Sequence, residues 1–205
     1  MEMWFSEFHT PDVKHSIRVN RQLYSKQSDY QRIDIFETPE FGRVLTLDGN
    51  VMLTERDEFI YDEMITHVPM SVHRSAKDIL VIGAGDGGVV RELTRYDRVE
   101  RIDLVEMDPQ VIEACRAYLP GNACRMDDRR VHIYYENALK FIRKCIRSLH
   151  DYMVCCLLLF RHFGIIEWFH ESPPAQCFDS PIIHFFTKTR NVFPCFLTKN
   201  RNVLR

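Results

Sequence analysis

Near the start of the chain, apolar and polar side chains alternate with a period of two. Residues 17–20 (IRVN) and 32–35 (RIDI) show this alternation, which is typical of half-buried antiparallel strands. Two further apolar runs, residues 44–47 and 51–53, flank the sequence DGN at residues 48–50, which favours a tight hairpin turn. The pattern therefore predicts a small antiparallel sheet at the N-terminus.

A helical pattern follows this sheet. Thr54 is a candidate N-cap for the helix, and Pro69 is expected to end it. The apolar side chains of the segment recur at helical spacing and fall near one face, together with a histidine: Phe59, Ile60, Met64 and His67.

From about residue 77 to residue 143 the pattern alternates between strand and helix. Strands are predicted at residues 79–82, 101–105 and 131–135, because each is a short and mostly apolar run. This alternation predicts an α/β fold with a parallel, doubly wound sheet that binds ligands at the carboxyl ends of its strands. The helices that follow the strands are predicted to begin near Gly87, Pro109 and Asn137.

A glycine-rich turn, residues 83–88 (GAGDGG), joins the first of these strands to its helix. The pattern GxGxxG is a weak signal alone, but a strand precedes it here and Glu106 follows about twenty residues later, where an acid can accept hydrogen bonds from both ribose hydroxyls. Gly83 and Gly85 would let a ligand approach the backbone closely. Asp86 repels phosphate and attracts a cation. The sequence therefore predicts a nucleoside that carries positive charge, and not a dinucleotide.

Asn137 and Ala138 follow the third strand of the predicted sheet. A residue at this place lies beside the adenine in nucleoside-binding α/β folds, and Asn137 could accept from the exocyclic amine and donate to a ring nitrogen. Asn137 fits equally well as the N-cap of the next helix, and both roles can hold together.

Composition and charge narrow the classes of function. A formal net charge of −2 argues against a nucleic-acid-binding surface built on bulk charge. No apolar run reaches the roughly eighteen residues of a membrane span, and the N-terminus does not resemble a signal peptide, so we expect a cytoplasmic protein. Seven cysteines without zinc-type CxxC pairs are typical of reduced thiols, and no metal site is predicted.

Five further motifs accompany the glycine turn in a fixed order along the chain. They are residues 4–7 (WFSE), 30–33 (YQRI), 41–49 (FGRVLTLDG), 54–61 (TERDEFIY) and 67–69 (HVP). Together these motifs resemble the spermidine synthase family, the polyamine aminopropyltransferases. The resemblance runs nearly unbroken from Met1 to about Arg143, roughly two thirds of the chain.

The resemblance implies a fold and a reaction. The fold is an N-terminal β domain, residues 1–53, followed by a Rossmann-like, methyltransferase-type domain that begins with a leading helix, residues 54–144. The reaction is transfer of an aminopropyl group from decarboxylated S-adenosylmethionine, a co-substrate, to the diamine putrescine, with no prosthetic group. The resemblance also implies a homodimer or homotetramer in the cytoplasm.

The resemblance also implies roles for individual residues around the donor. Gln31 matches a glutamine that contacts the donor, and Asp86 matches the turn aspartate that binds the amine of the polyamine or the aminopropyl group. Glu106 matches the acid that binds the ribose. The pair Asn137 and Ala138 stands where relatives have Asp-Gly or Asp-Ala, and an asparagine there keeps one acceptor but loses the charge.

Two neighbouring residues match the part of the family that binds the polyamine. Tyr61 matches a tyrosine that lines the polyamine groove. Asp62 stands where relatives have histidine or glutamine. Its carboxylate could receive an ammonium group, and a solvated helix residue is an equally good interpretation of Asp62.

The character of the sequence changes after Lys144. Residues 145–205 hold eight of the 14 phenylalanines but only one of the eight glycines. The family supplies its catalytic base as the first aspartate of a stretch Asp-Ser/Ala-Thr/Ser-Asp/Glu-Pro after the fourth strand. Residues 152–160 could form this strand, but residues 155–163 contain no carboxylate, and Asp179 lacks the surrounding pattern. The catalytic base is therefore unknown.

The missing stretch has a consequence for the whole site. We expect residues 145–205 to be a divergent tail that reflects a frameshift, a mispredicted exon or a truncated gene model. The parallel sheet would then be incomplete at its C-terminal side, and the polyamine groove would lose one wall.

Three other functions remain open at this point. An N-methyltransferase that uses S-adenosylmethionine would share the donor fold, although Asp86 and the N-terminal domain favour aminopropyl transfer. An inactive chain that binds nucleoside or contributes only to an oligomer is consistent with the missing base. An NAD-dependent dehydrogenase is the weakest alternative, because Asp86 would face the pyrophosphate.

Overall fold

The structure, a computed structural model, describes residues 2–145 and 152–156. Six antiparallel strands come first, and a helix and a four-stranded parallel sheet follow. This order confirms the predicted fold class, a small antiparallel β region followed by a Rossmann-like α/β region. None of the helices in the described ranges is long and apolar enough to cross a membrane.

The antiparallel strands form two separate sheets. The first is a two-stranded hairpin, and the second is a four-stranded meander in which each strand pairs with the next. The predicted hairpin turn is present, with Asp48 and Gly49 at positive φ angles of 50° and 74°. The hairpin consists of β1 (Met3–Thr10) and β2 (Val13–Val19), and the meander consists of β3 (Arg21–Gln27), β4 (Arg32–Thr38), β5 (Gly42–Leu47) and β6 (Asn50–Thr54).

The first helix, α1 (Glu58–Val72), differs from its prediction at both ends. Thr54 is not the N-cap, because it ends β6 and donates its hydroxyl to Asp57 Oδ1 at 2.6 Å instead. Pro69 does not end the helix and lies inside it, and the backbone N–H of His73 still bonds to the Pro69 carbonyl at 2.8 Å. A proline removes one helical hydrogen bond, and burial of the neighbouring Met70 against the rest of the molecule compensates for it.

The face of α1 that carries most of its large apolar side chains is exposed. Phe59, Ile60 and Met64 are between 46% and 57% exposed. The side chains that α1 buries are instead Asp62, Thr66, Pro69 and Met70. A polar residue is therefore turned toward the interior next to the glycine turn.

The parallel sheet has the strand order β10-β7-β8-β9, with helices between successive strands. The predicted strands are confirmed within one residue, and the backbone of β10 pairs in parallel with β7 at the place predicted for a fourth strand. Residues 157–160 of that prediction lie outside the described residues. The elements are β7 (Asp78–Ile82), α2 (Gly88–Leu93), β8 (Arg101–Glu106), α3 (Pro109–Tyr118), α4 (Pro120–Ala123), β9 (Val131–Tyr135), α5 (Ala138–Cys145) and β10 (Tyr152–Cys156).

A shared hydrophobic core joins the meander to the parallel sheet. Buried side chains from β4 and β5 pack with buried side chains from α3. This packing holds the β3–β4 loop beside the carboxyl end of β8, where the predicted nucleoside site lies. The core residues are Ile33, Ile35, Leu45, Val111, Ala114, Cys115 and Leu119.

Candidate active site

The glycine turn between β7 and α2 has the backbone that its sequence requires. Gly83 and Gly87 have φ angles of 72° and 89°, in the left-handed region that glycine adopts without a steric penalty. The N–H of Gly83 donates to the Val105 carbonyl at 2.9 Å, which fixes the turn against β8. Asp86 Oδ1 accepts from the Gly88 N–H at 2.8 Å. The turn therefore holds the Asp86 carboxyl in one place.

Gly85 brings the turn into direct contact with Glu106. A Cβ atom added to Gly85 would lie 2.8 Å from Val111 Cγ1 and 3.0 Å from Glu106 Oε2. No side chain larger than hydrogen fits at this distance without a shift of its neighbours. The two features that the sequence paired, the glycine turn and the distal acid, are thus adjacent in the fold.

Glu106 is a buried carboxyl at the carboxyl end of β8. Only 8% of the residue is exposed, and burial raises its pKa to about 7. The Asp108 N–H donates to Glu106 Oε1 at 3.0 Å and opposes this rise, while the Asp108 and Asp86 carboxyls add to it. Hydroxyl donors placed against this group would stabilise its charged form and lower the pKa again.

Gln31 reaches the same strand end from the β3–β4 loop. Its Nε2 donates to Asp108 Oδ2 at 3.2 Å, and the Ser28 hydroxyl donates to the same oxygen at 2.6 Å. Gln31 was predicted from the sequence, whereas Ser28 and Asp108 were not. Asp108 had a usable signal, because an aspartate directly before Pro109 is a typical N-cap, and its Oδ1 does accept from the Gln110 N–H at 3.0 Å.

Asp62 meets the glycine turn from the opposite side, on α1. A Cβ atom added to Gly88 would lie only 1.8 Å from Asp62 Oδ2. Asp62 is 3% exposed, so its interpretation as a solvated helix residue is wrong. Burial, together with the nearby carboxyls of Asp86 and Glu58, raises the pKa of Asp62 to about 10. Burial also raises the pKa of Asp86.

The guanidinium of Arg91 lies beside this group of carboxyls. Arg91 binds both oxygens of Glu58 at 2.9 Å and also donates to Glu92 Oε1 at 2.9 Å. Glu58 in turn has a side-chain hydrogen bond with Asp62. The positive charge of Arg91 is therefore balanced by Glu58 and Glu92. The carboxyls of Asp62 and Asp86 have no such partner in these contacts, so a further cation next to Asp86 would be favourable.

Asn137 caps α5 and also lines an open cleft. Its Oδ1 accepts from the Leu139 and Lys140 N–H groups at 3.0 and 3.3 Å, which fits the N-cap role. The cleft has a volume of about 570 Å³ and lies beyond the carboxyl ends of β8 and β9, where the sequence analysis placed the adenine. Ala138, the first residue of α5, is half-buried beside it. The cleft is lined by Tyr30, Met107, Tyr135, Glu136, Asn137, Lys140 and Lys144.

Tyr61, which was predicted from the sequence, and a group of potential metal ligands, which was not, are both found on α1 or beside it. Tyr61 is 46% exposed on α1. Glu63, His67 and Glu92 bring potential metal ligands within 4.8 Å of one another. Both ring nitrogens of His67 already have partners, with Nε2 3.2 Å from Glu92 Oε2 and Nδ1 2.7 Å from the Tyr96 hydroxyl. Contacts with Glu92 and Tyr96 thus occupy both ring nitrogens of His67.

Comparison with known proteins gives the same picture for the whole described region. A family model of the spermidine synthase tetramerisation domain matches residues 3–55, and one of the spermine/spermidine synthase domain matches residues 58–157. The second match includes β10, so the likeness continues past residue 143, where the sequence motifs end.

Curated relatives and solved structures agree with these matches. The polyamine aminopropyltransferase of Alkaliphilus oremlandii is 59% identical over 143 residues, which are 70% of this chain and 50% of that protein. The polyamine aminopropyltransferase of Clostridium perfringens strain 13 is 53% identical over 214 aligned positions, covering 95% of this chain and 75% of that protein. The chain thus spans about half the length of several relatives that it matches.

Two crystal structures are similar to the described fold. They are spermidine synthase from Thermotoga maritima and a spermidine synthase in complex with the transition-state analogue AdoDATO. Each gives a TM-score of 0.68 at 48% identity and covers 69% of this chain and 50% of the other. With the fold, both family models and these relatives in agreement, the chain belongs to the spermidine synthase family, the polyamine aminopropyltransferases.

Proposed function

We propose that the described residues form the donor-binding part of a spermidine synthase site, built to hold decarboxylated S-adenosylmethionine for aminopropyl transfer to putrescine. The observation that carries this proposal is the contact between the Asp86 turn and Glu106 through Gly85. A cation-attracting acid and a ribose-binding acid lie next to each other at the ends of β7 and β8, as a sulfonium nucleoside requires.

Each predicted residue has a place in this proposal. Glu106 accepts hydrogen bonds from the ribose hydroxyls, and Gln31 contacts the donor from the β3–β4 loop. Asn137 and Ala138 lie beside the adenine, in the cleft beyond β8 and β9. Gly83 and Gly85 allow the donor to approach the backbone of the turn.

The acids on the other side of the turn face the amine groups. Asp86 receives the amine of the aminopropyl group, and Tyr61 and Asp62 border the diamine. The transfer itself forms a bond between the nitrogen of putrescine and the carbon next to the sulfonium, and the bond between that carbon and sulfur breaks. Sulfur keeps the electron pair and leaves as methylthioadenosine, and the nitrogen becomes an ammonium group of spermidine. Only a neutral amine has the lone pair for this attack, so a base must first remove a proton from that nitrogen of putrescine.

This chain lacks the aspartate stretch from which the family takes its catalytic base. Residues 155–163 contain no carboxylate, and residues 157–163 lie outside the described residues. We therefore expect transfer by this chain to be very slow or absent. This favours a second candidate function, a nucleoside-binding chain without turnover that contributes to an oligomer.

Titration calorimetry with methylthioadenosine tests the proposed site. We expect the chain to bind the nucleoside and Glu106→Ala to lower the affinity at least about tenfold, because one carboxyl accepts two ribose hydroxyls. Glu113→Ala, on the exposed face of α3, is the matched control. Failure of the unmutated chain to bind methylthioadenosine would overturn the site assignment.

A second measurement separates the two candidate functions. Spermidine formation from decarboxylated S-adenosylmethionine and putrescine, followed by mass spectrometry, should stay near background. Robust turnover would show that another residue replaces the base. The nucleotide sequence beyond the codon for Lys144 completes the test, because a second reading frame that encodes the aspartate stretch would make the tail an artefact.

We also propose that the chain forms a cytoplasmic homodimer or homotetramer through its β1–β2 hairpin. Trp4, Phe8 and Val13 are between 54% and 65% exposed on this hairpin. Exposed apolar side chains that cluster on one element indicate an interaction surface. The matched tetramerisation domain includes these residues, which supports a second copy of the chain as the partner.

A further inference from the structure

A buried polar contact joins the β3–β4 loop to the end of β8. Ser28 is 7% exposed and Asp108 is 1% exposed, and their side chains meet at 2.6 Å although 80 residues separate them in sequence. A hydrogen bond this short to a buried carboxyl is charge-assisted, which makes it stronger than most hydrogen bonds in proteins.

Ser28 organises the loop on its own side of this contact. Its Oγ accepts from the N–H groups of Tyr30 and Gln31, both at 3.0 Å. Its hydroxyl has two acceptors within reach, Asp108 Oδ2 at 2.6 Å and the Gln31 carbonyl at 3.0 Å, and the contact with Asp108 is the shorter. The backbone N–H of Ser28 also donates to the Gln31 carbonyl at 2.9 Å. Tyr30 and Gln31 are therefore placed by the same hydroxyl that reaches Asp108.

Asp108 organises the strand end on the other side. Its Oδ2 accepts from Ser28 and from Gln31 Nε2, and its Oδ1 accepts from the Gln110 N–H. Its own N–H donates to Glu106 Oε1 at 3.0 Å. The remaining oxygen, Glu106 Oε2, faces Gly85 of the turn. Asp108 thus holds Oε1 of Glu106, and a backbone hydrogen bond from Met107 also holds the Glu106 carboxyl.

We propose that Ser28 and Asp108 are positioning residues for the donor, forming a clasp that fixes Glu106 toward the ribose at a set distance from Tyr30 in the adenine cleft. The inference rests on the proposed nucleoside site and adds to it two residues that would not touch the reacting atoms. A nucleoside that spans the cleft and Glu106 contacts both sides of the clasp. Loss of the clasp would therefore affect recognition of the ribose hydroxyls more than stacking of the base.

The test compares methylthioadenosine with its 2′-deoxy analogue by titration calorimetry. The unmutated chain should prefer the ribose compound by about tenfold, because a site built to bind a hydroxyl rejects a ligand without it. Ser28→Ala should reduce this preference to less than about threefold, and Ser28→Thr should restore it, since threonine keeps the hydroxyl. Ser71→Ala removes an exposed hydroxyl that bonds to the Val68 carbonyl on α1 and is the matched control.

The outcomes distinguish this inference from the proposed function. No binding of methylthioadenosine by the unmutated chain would overturn the site itself. Binding that weakens equally for both ligands in Ser28→Ala would indicate a merely structural role and overturn the clasp. Should Ser28→Ala fail to fold, the preference for methylthioadenosine over its 2′-deoxy analogue is measured with Asp108→Asn. The side-chain oxygen of the asparagine can still cap α3, whereas its NH2 group cannot accept a hydrogen bond from Ser28.

Discussion

Replacing Glu106 by glutamine is expected to stabilise the folded chain above neutral pH while it weakens nucleoside binding. Glu106 is a carboxyl with 8% exposure, and burial is the largest cause that raises its pKa from 4.5 to about 7. Glutamine has nearly the same shape, and its carbonyl oxygen can still accept from the Asp108 N–H. The substitution therefore removes the buried charge and keeps the packing.

The sign and the size of the effect follow from the two pKa values. Between pH 4.5 and about 7 the folded chain retains a proton on Glu106 that the unfolded chain has released, so the stability falls as the pH rises through this window. At 1.36 kcal/mol for each unit of pKa, the full loss is about 3 kcal/mol once the pH exceeds 7. Glutamine carries no charge at any pH, so Glu106→Gln should be more stable than the parent by about 3 kcal/mol at pH 8.

Urea denaturation followed by circular dichroism at pH 5 and pH 8 measures this difference. The gap between Glu106→Gln and the parent should be small at pH 5 and large at pH 8, whereas the exposed Glu113→Gln should show no such growth. Calorimetry with methylthioadenosine should show weaker binding by Glu106→Gln, because an amide offers one acceptor oxygen in place of two. An equal gap at both pH values would refute the buried-charge argument, and unchanged affinity would remove Glu106 from the site.

Two further predictions concern packing and assembly. Gly88→Ala should lower the free energy of unfolding, measured by urea denaturation, by more than about 2 kcal/mol, because the new Cβ would lie only 1.8 Å from Asp62 Oδ2. Gly121→Ala is the control, because its Cβ would meet open space, and it should change the free energy of unfolding by less than about 1 kcal/mol. Trp4→Glu should shift sedimentation velocity toward a smaller species than the parent, and Val72→Glu, which places the same charge on exposed α1, should not. Equal effects within either pair of variants would contradict the explanation.

The fold could be predicted from the sequence where the information was local. The strands β7, β8 and β9 of the parallel sheet are short, mostly apolar runs, and Gly83 directly follows β7, so the pattern predicted their bounds within one residue. The prediction failed for α1, where Thr54 and Pro69 gave boundary signals that tertiary contacts overrode. A strand partner holds Thr54 in β6, and buried neighbours keep Pro69 within the helix.

In the candidate site too, residues with a local sequence pattern could be predicted, and residues that depend on distant contacts could not. Asp86 and Glu106 could be paired from sequence, because the spacing between a glycine turn and the next strand end reflects one repeated unit of the fold. Ser28 could not, because its partner Asp108 is 80 residues away and no local pattern indicates their contact. One of the two interpretations of Asp62, a solvated helix residue, was wrong for a related reason. Asp62 is buried because Gly88 of α2 packs against it, and the pattern of apolar residues along α1 cannot predict a contact with another helix.

The residues of the proposed donor site lie apart from the place where the family has its catalytic base. Ser28, Gln31, Glu106 and Asp108 are linked by hydrogen bonds among themselves, and the core between the meander and α3 supports them. All of them lie before residue 143, in the part that the curated relatives match at more than 50% identity. The family's base belongs after the fourth strand, beyond this network. Under the proposed function, a change in residues 157–205 would therefore abolish proton removal without altering the hydrogen bonds among these four residues.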